Sequence, residues 1–463
     1  MQKILLLLLA TSLSLLEITA ADIEPGMDMP NDKLSKELYE KYKPIAKKIY
    51  SHVMKDSSAW ERLAQLCDGF GHRLSGSQAL EDAIDWCKSE MEKDGLANIR
   101  KEKVMVPNWK RGQENIKMTF PYHKHFEMLA LGGSASTPKE GISGEVYVVN
   151  SIDELAENPE PAKGRIVLFN IPWEGYGRTV QYRFYGAQWA ARHGAIASMI
   201  RSVSPIGMNN PHTGMMSAYS DTLPVTPHAA ITAEDAALLQ RLQDRGITPR
   251  ITMKMESHFE EDALSHNLMG ELRGTELPEE ILAIGGHIDS WDVGTGAQDD
   301  AGGCVATWNA VKVLKELNLH PRRTIRAVLW TNEENGQMGG KKYAEYHKDE
   351  PHTLVFESDS GIWEPETMGF TGPDSLLVFW KAMGPLLKII FPDVSMTQGG
   401  GGVDISPMME LGIPGSSINT DDDGTYFWYH HTNADTVDKV DAHHLNLCVA
   451  TIALAMYVYA DMP

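Results

Sequence analysis

The sequence predicts an α/β fold, a sheet covered by helices on both faces, and three observations carry that expectation. From Asn267 onward, strand, loop and helix patterns alternate regularly, the order that places helices over a sheet. Ile281-Leu282-Ala283-Ile284, Thr324 to Trp330 and His352 to Phe356 are short apolar runs of the kind that form buried strands. Between the first two, Cys304 to Leu317 carries apolar residues at helical spacing. No internal repeat is evident, which removes solenoid architectures.

Taken in order, the chain starts with Lys3, an unbroken apolar run from Ile4 to Ala10, and small residues at Thr19-Ala20-Ala21. That pattern reads as a secretory signal peptide over residues 1–21. Its apolar core is far short of the roughly 20 residues that span a bilayer. No later segment reads as apolar enough to do so, and a soluble chain without a membrane partner is expected. Residues 22–44 are polar and contain Pro25 and Pro30, the composition of a linker or removable pro-segment. Residues 45–122 open the main domain: Trp60, Leu63 and Leu66, then Ala83, Ile84 and Cys87, are spaced as on helices, and strand patterns follow near Val104 and Met118. Residues 123–257 change texture, with strand-like Glu145 to Val149 and Arg165 to Phe169 and a helical stretch from Val180 to His193. They read as a small inserted domain, and the main domain resumes over 258–463.

Composition narrows the function. With 463 residues, 42% hydrophobic content and a net charge of −21, the chain is globular and lacks the clustered cations that a nucleic-acid partner requires. Its four cysteines, at 67, 87, 304 and 448, are too few for a disulfide scaffold and are not spaced as zinc ligands. Any metal site must use His, Asp and Glu.

Such residues gather where the predicted strands end: His287 and Asp289 after the first, Glu333 and Glu334 after the second, Asp359 after the third. In α/β sheets ligands bind beyond the carboxyl ends of the strands. His287 and Asp289, two apart, share a face of extended backbone, so the aspartate can hold the second nitrogen of the imidazole. Asp299 and Asp300 precede a helix; one suffices as a cap. Adjacent Glu333 and Glu334 repel each other unless a cation lies close, and separate roles, one as ligand and one as proton acceptor, resolve the conflict. His430 and His431 cannot readily turn to one metal together; spacing alone does not choose between them.

The segments Gly286-His287-Ile288-Asp289-Ser290, Gly296 to Gly303, Trp330-Thr331-Asn332-Glu333-Glu334, Glu357-Ser358-Asp359 and His431 to Thr436 resemble, in family order, the co-catalytic zinc aminopeptidase and glutamate carboxypeptidase family. The resemblance spans roughly residues 45 to 460. It implies a mixed central sheet between helix layers, with an inserted lid that resembles a protease-associated domain. It also implies two zinc ions per subunit, His287 and Asp359 on one, Glu334 and His431 on the other, and Asp299 between them. Glu333 is then the general base toward a metal-bridging water, Asp289 supports His287, and His430 matches a position that steadies the tetrahedral intermediate. The implied activity is exopeptidase hydrolysis of unblocked dipeptides or short peptides by a homodimer, outside the cell or in a lysosome or other secretory compartment.

Two other readings use the same residues. One is a single-zinc glutaminyl cyclase on the same fold; the other is a catalytically dead binding module. The complete ligand set, the base and the insert favour the peptidase. Asp404 also matches a position near the family's cleft, against an ordinary role as a loop cap.

Overall fold

The computed structural model describes residues 33–463, so the expected signal peptide lies outside the described residues. A mixed eight-stranded sheet forms the centre. Its strands in chain order are β1 (Ala97–Val106), β2 (Ala263–Leu272), β3 (Leu277–His287), β4 (Arg323–Trp330), β5 (His352–Glu357), β6 (Glu364–Thr371), β7 (Ser395–Gln398) and β8 (Gly415–Asp421). They lie side by side in the order β1-β2-β4-β3-β5-β8-β6-β7. The inner strands β4, β3, β5 and β8 run parallel, and β1 and β2 add antiparallel at one edge.

Alternation along the strands sorts the core into two layers. Leu282 and Ile284 of β3, with Ile325, Ala327 and Leu329 of β4, face a large helical layer. That layer contains α1 (Lys33–Val53), α2 (Ser58–Phe70), α3 (Gln78–Lys93), a helix α5 (Gly302–Glu316) and α7 (Ala442–Ala460). Ala283, Val328 and Trp330 point the other way, against Tyr343 and Ala344 of α6 (Met338–His347). The expectation of helices on both faces is met.

Two expectations need correction. Residues 33–44, placed in a linker, are the first half of α1, whose Leu38, Tyr39, Tyr42, Ala46, Ile49 and Val53 recur at helical spacing and are buried. Its many lysines sit on the outer face and mask that periodicity. And, against the expectation that no later segment is apolar enough to cross a membrane, α7 is long and apolar enough to do so among the described residues, but most of it is buried between α1, α5 and the sheet, as a core helix is.

A second eight-stranded sheet is built entirely from chain between β1 and β2. Its parallel centre is Ile142–Val149, Ile166–Phe169, Ala197–Arg201 and His228–Ile231. Glu114–Phe120 pairs with Arg250–Met255, so the unit starts before residue 123. One of its helices, α4 (Tyr176–Arg192), reaches the edge of the main sheet where β3, β4 and β5 end. All four cysteines are buried free thiols.

Candidate metal centre

Three parallel strands deliver ionisable side chains to one point. His287 is the last residue of β3. Its Nδ1 lies 3.0 Å from the Asp289 carbonyl, which leaves Nε2 aimed outward as an acceptor when Nδ1 carries the proton. The Asp289 carboxylate was expected at that nitrogen, but stands 3.8 Å away. It accepts instead from the backbone N–H groups of Glu333 (3.1 Å) and Glu334 (3.3 Å), fixing the turn after β4. Extended backbone offers the carbonyl as readily as the side chain, and the turn competes for the carboxylate.

Asp299 and Asp300 divide their work. Asp300 accepts from Gly303 N–H at 3.1 Å and from His287 N–H at 3.0 Å, so it ties the start of the helix to the end of β3. Asp299 takes no part in holding the helix start, and its backbone N–H is held by Asp435 at 3.2 Å. Gly303 packs against the chain at Ser358 too tightly to admit a Cβ, which lets α5 start this close to the end of β5.

The side chains then converge in two groups that share Asp299. His287 Nε2 is 3.2 Å from Asp299 Oδ1 and 3.4 Å from Asp359 Oδ1. His431 Nε2 is 3.2 Å from Asp299 Oδ2 and 3.1 Å from Glu334 Oε2. Despite these separations, His287 Nε2, Asp299 Oδ2 and Asp359 Oδ1 are buried without a hydrogen-bond partner. Buried polar atoms left open in this way suit coordination to cations, and two imidazoles with three carboxylates are a donor set that zinc accepts. His430 stacks on His431 with centroids 3.6 Å apart, and its Nε2 is farther from Asp299, at 3.7 Å. Of the two histidines, His431 is thus the one in reach of two carboxylates.

The electrostatics agree with a site short of positive charge. Burial, Glu334, Asp359 and Asp404 push the Glu333 carboxyl well above the usual range, with His287 opposing. Burial and Asp299 raise Glu334 to about 7, against His431. Burial opposes protonation of His431, yet Glu334 and Asp299 raise it to about 10. Nearby cations would relieve all three shifts.

These groups lie in a cleft of about 740 Å³ that is also lined by Tyr176, Arg183, Lys341, Asn419, Tyr426 and Phe427. Sequence reasoning gave no role to Arg183 or Asp435. Arg183 had a visible signal: α4 buries Thr179, Gly186, Ala187 and Ala190, and the arginine sits on that same stripe. Asp404 caps no loop; both its carboxylate oxygens are buried without a partner.

The sequence model of peptidase family M28 matches residues 267–456. Carboxypeptidase Q of Xenopus laevis is 42% identical over 91% of this chain and 90% of its own length. The human carboxypeptidase Q is 42% identical over 87% and 85%. Among solved structures, a peptidase M28 precursor from Shewanella amazonensis superposes with a TM-score of 0.87 at 32% identity, covering 91% of this chain and 97% of that one. A zinc aminopeptidase from Bacillus subtilis shares the fold at a TM-score of 0.65 and 20% identity, over 87% and 97%.

Proposed function

The chain belongs to peptidase family M28 and is a zinc metallopeptidase, and from that premise we propose that it is a secreted di-zinc exopeptidase of unblocked dipeptides and short peptides. The observation that carries the proposal is the pair of ligand groups joined at Asp299, with unpartnered atoms at the junction. His287 and Asp359 would hold one zinc and Glu334 and His431 the other, with Asp299 in reach of both groups.

When bound, the metal would supply Lewis-acid chemistry, activating water and polarising the scissile carbonyl. Glu333 takes the proton of the attacking water and returns it to the leaving amine. His430, carried beside His431 and lining the cleft, donates to the oxyanion as it develops. Asp289 holds the backbone of Glu333 and Glu334 in register for these tasks. The inserted sheet serves as a lid, a role supported by Tyr176 and Arg183 of α4 reaching the cleft. The homodimer and a secretory-pathway location follow from family resemblance and from the expected signal peptide.

The test is the initial rate on free, amino-blocked and carboxyl-blocked dipeptides, with and without chelator, beside the zinc content. Two zinc ions per chain and chelator-sensitive cleavage of free dipeptides are expected. One zinc and cyclisation of N-terminal glutamine would select the glutaminyl cyclase instead. Full zinc with no turnover would select a binding module.

A further inference from the structure

Arg183 is 6% exposed, yet no carboxylate pairs with it among the described residues. Its Nη2 donates to the Tyr176 hydroxyl at 3.0 Å and its Nη1 to the Thr213 carbonyl at 3.3 Å. Nη1 also lies 3.4 Å from His431 Nδ1, and Nε is buried with no partner. Its ionisable neighbours His212, His430 and His431 offer it no negative charge. Buried guanidinium groups are ordinarily paired, because an uncompensated charge away from water is costly. The remaining neighbours are neutral, so the anion this group calls for is not supplied by the protein.

The placement says where an anion would come from. Arg183 lines the same cleft as Glu333 and four of the proposed metal ligands, Asp299, Glu334, Asp359 and His431. It is fixed in place by the Tyr176 hydroxyl and by Gly214, where any Cβ would run into the guanidinium. A planar fork held rigidly beside a hydrolytic site matches a carboxylate in geometry as well as charge. Lys341, the other cation of the cleft wall, is exposed and donates to the Gly336 carbonyl at 3.0 Å, so water already satisfies most of its charge.

We propose that Arg183 is the specificity-determining residue that anchors the free carboxylate at the substrate's C-terminus, which makes the enzyme selective for dipeptides with an unblocked carboxyl end. The inference rests on the peptidase reading. The inserted sheet then contributes to substrate recognition directly, through α4.

The test compares alanyl-leucine with its C-terminal amide. In the zinc-loaded parent enzyme the free acid is preferred. Arg183→Gln reduces the acid-to-amide ratio of kcat/KM at least ten-fold, mainly through KM of the acid, at unchanged zinc content; Arg183→Lys gives an intermediate ratio. An equal loss on both substrates would overturn the proposal, because it would assign Arg183 to positioning His431 or to the oxyanion. So would a ratio that collapses with Lys341→Met and not with Arg183→Gln. Calorimetric affinities of the acid and the amide are measured in parallel in the Glu333→Gln protein, with and without Arg183→Gln. If the parent cleaves neither compound, the peptidase reading fails, and the carboxylate anchor stands or falls on the affinity difference alone.

Discussion

The Asp435 carboxylate takes the backbone N–H of Asp299 on one oxygen at 3.2 Å and those of Ala297 and Gln298 on the other, at 3.1 and 2.7 Å. Three consecutive peptides ending at Asp299 are thereby held by one side chain from a distant part of the sequence. Asp435 follows His431 by four residues, so the same short segment supplies one proposed ligand and secures another, Asp299.

Replacing Asp435 should therefore weaken metal binding without removing a ligand. Asp435→Ala is expected to lower zinc affinity about 10–100-fold, the usual cost of losing a group that supports a ligand. Competition with a chromogenic chelator measures it, and excess zinc should recover much of the turnover. Unchanged affinity would mean the loop is held by other contacts.

Glu333→Gln should keep both zinc ions and lose about 10²–10⁴-fold in kcat, the range for removal of a general base. Metal analysis and single-turnover rates on a free dipeptide separate the two quantities. Turnover within a few-fold of the parent would remove Glu333 from the role.

Arg62 and Asp94 form a buried pair at 3.0 Å, and Arg62 also lies over the Trp308 ring, 3.9 Å from its centroid. Trp308 donates to the second Asp94 oxygen at 2.9 Å. Removing one partner strands the other, so Arg62→Ala should cost about 3–5 kcal/mol in denaturant unfolding. A loss below about 1 kcal/mol would show that water reaches the aspartate.

His347 sits 2.8 Å from Glu102 and 2.9 Å from Glu350. Burial opposes its protonation, but the two carboxylates raise its pKa above the ordinary value. Its stabilising contribution is thus complete below an unfolded pKa of about 6.5 and fades as pH rises through the higher folded value. Glu350 is drawn down to about 2, against burial, by His347 and Arg326. Its contribution is complete above about 4.5 and is lost as pH falls through about 2. His347→Gln should cost on the order of 1 kcal/mol at pH 6 and progressively less at alkaline pH. Thermal melts of parent and variant at pH 6 and pH 9 test the sign; a gap that widens with pH would refute it.

What the sequence disclosed was governed by locality. The three strand ends carrying His287, Glu333, Glu334 and Asp359 are short buried runs followed at once by ionisable residues, and both signals sit within a few positions of each other. The division of labour between Asp299 and Asp300 was legible only as a question, because a cap and a ligand require the same side chain. The insert boundary was misplaced because Glu114–Phe120 pairs with Arg250–Met255, far along the chain, a contact that composition does not register. Arg183 and Thr213 come from the insert yet meet His431; the buried stripe of α4 signals that Arg183 is covered, but nothing local names His431 as its neighbour.

Because β1 and β2 lie side by side as antiparallel neighbours, the chain leaves and re-enters the central sheet through one narrow doorway. A short turn could close that doorway without re-threading any other strand, so the hydrolytic half is topologically whole without its passenger. Shortened in this way it would retain its own core and every proposed metal ligand, while losing Arg183 and the Thr213 carbonyl that faces His431. The architecture thus keeps the capacity to bind metal apart from the capacity to choose a substrate, and a lineage could exchange the second while inheriting the first intact.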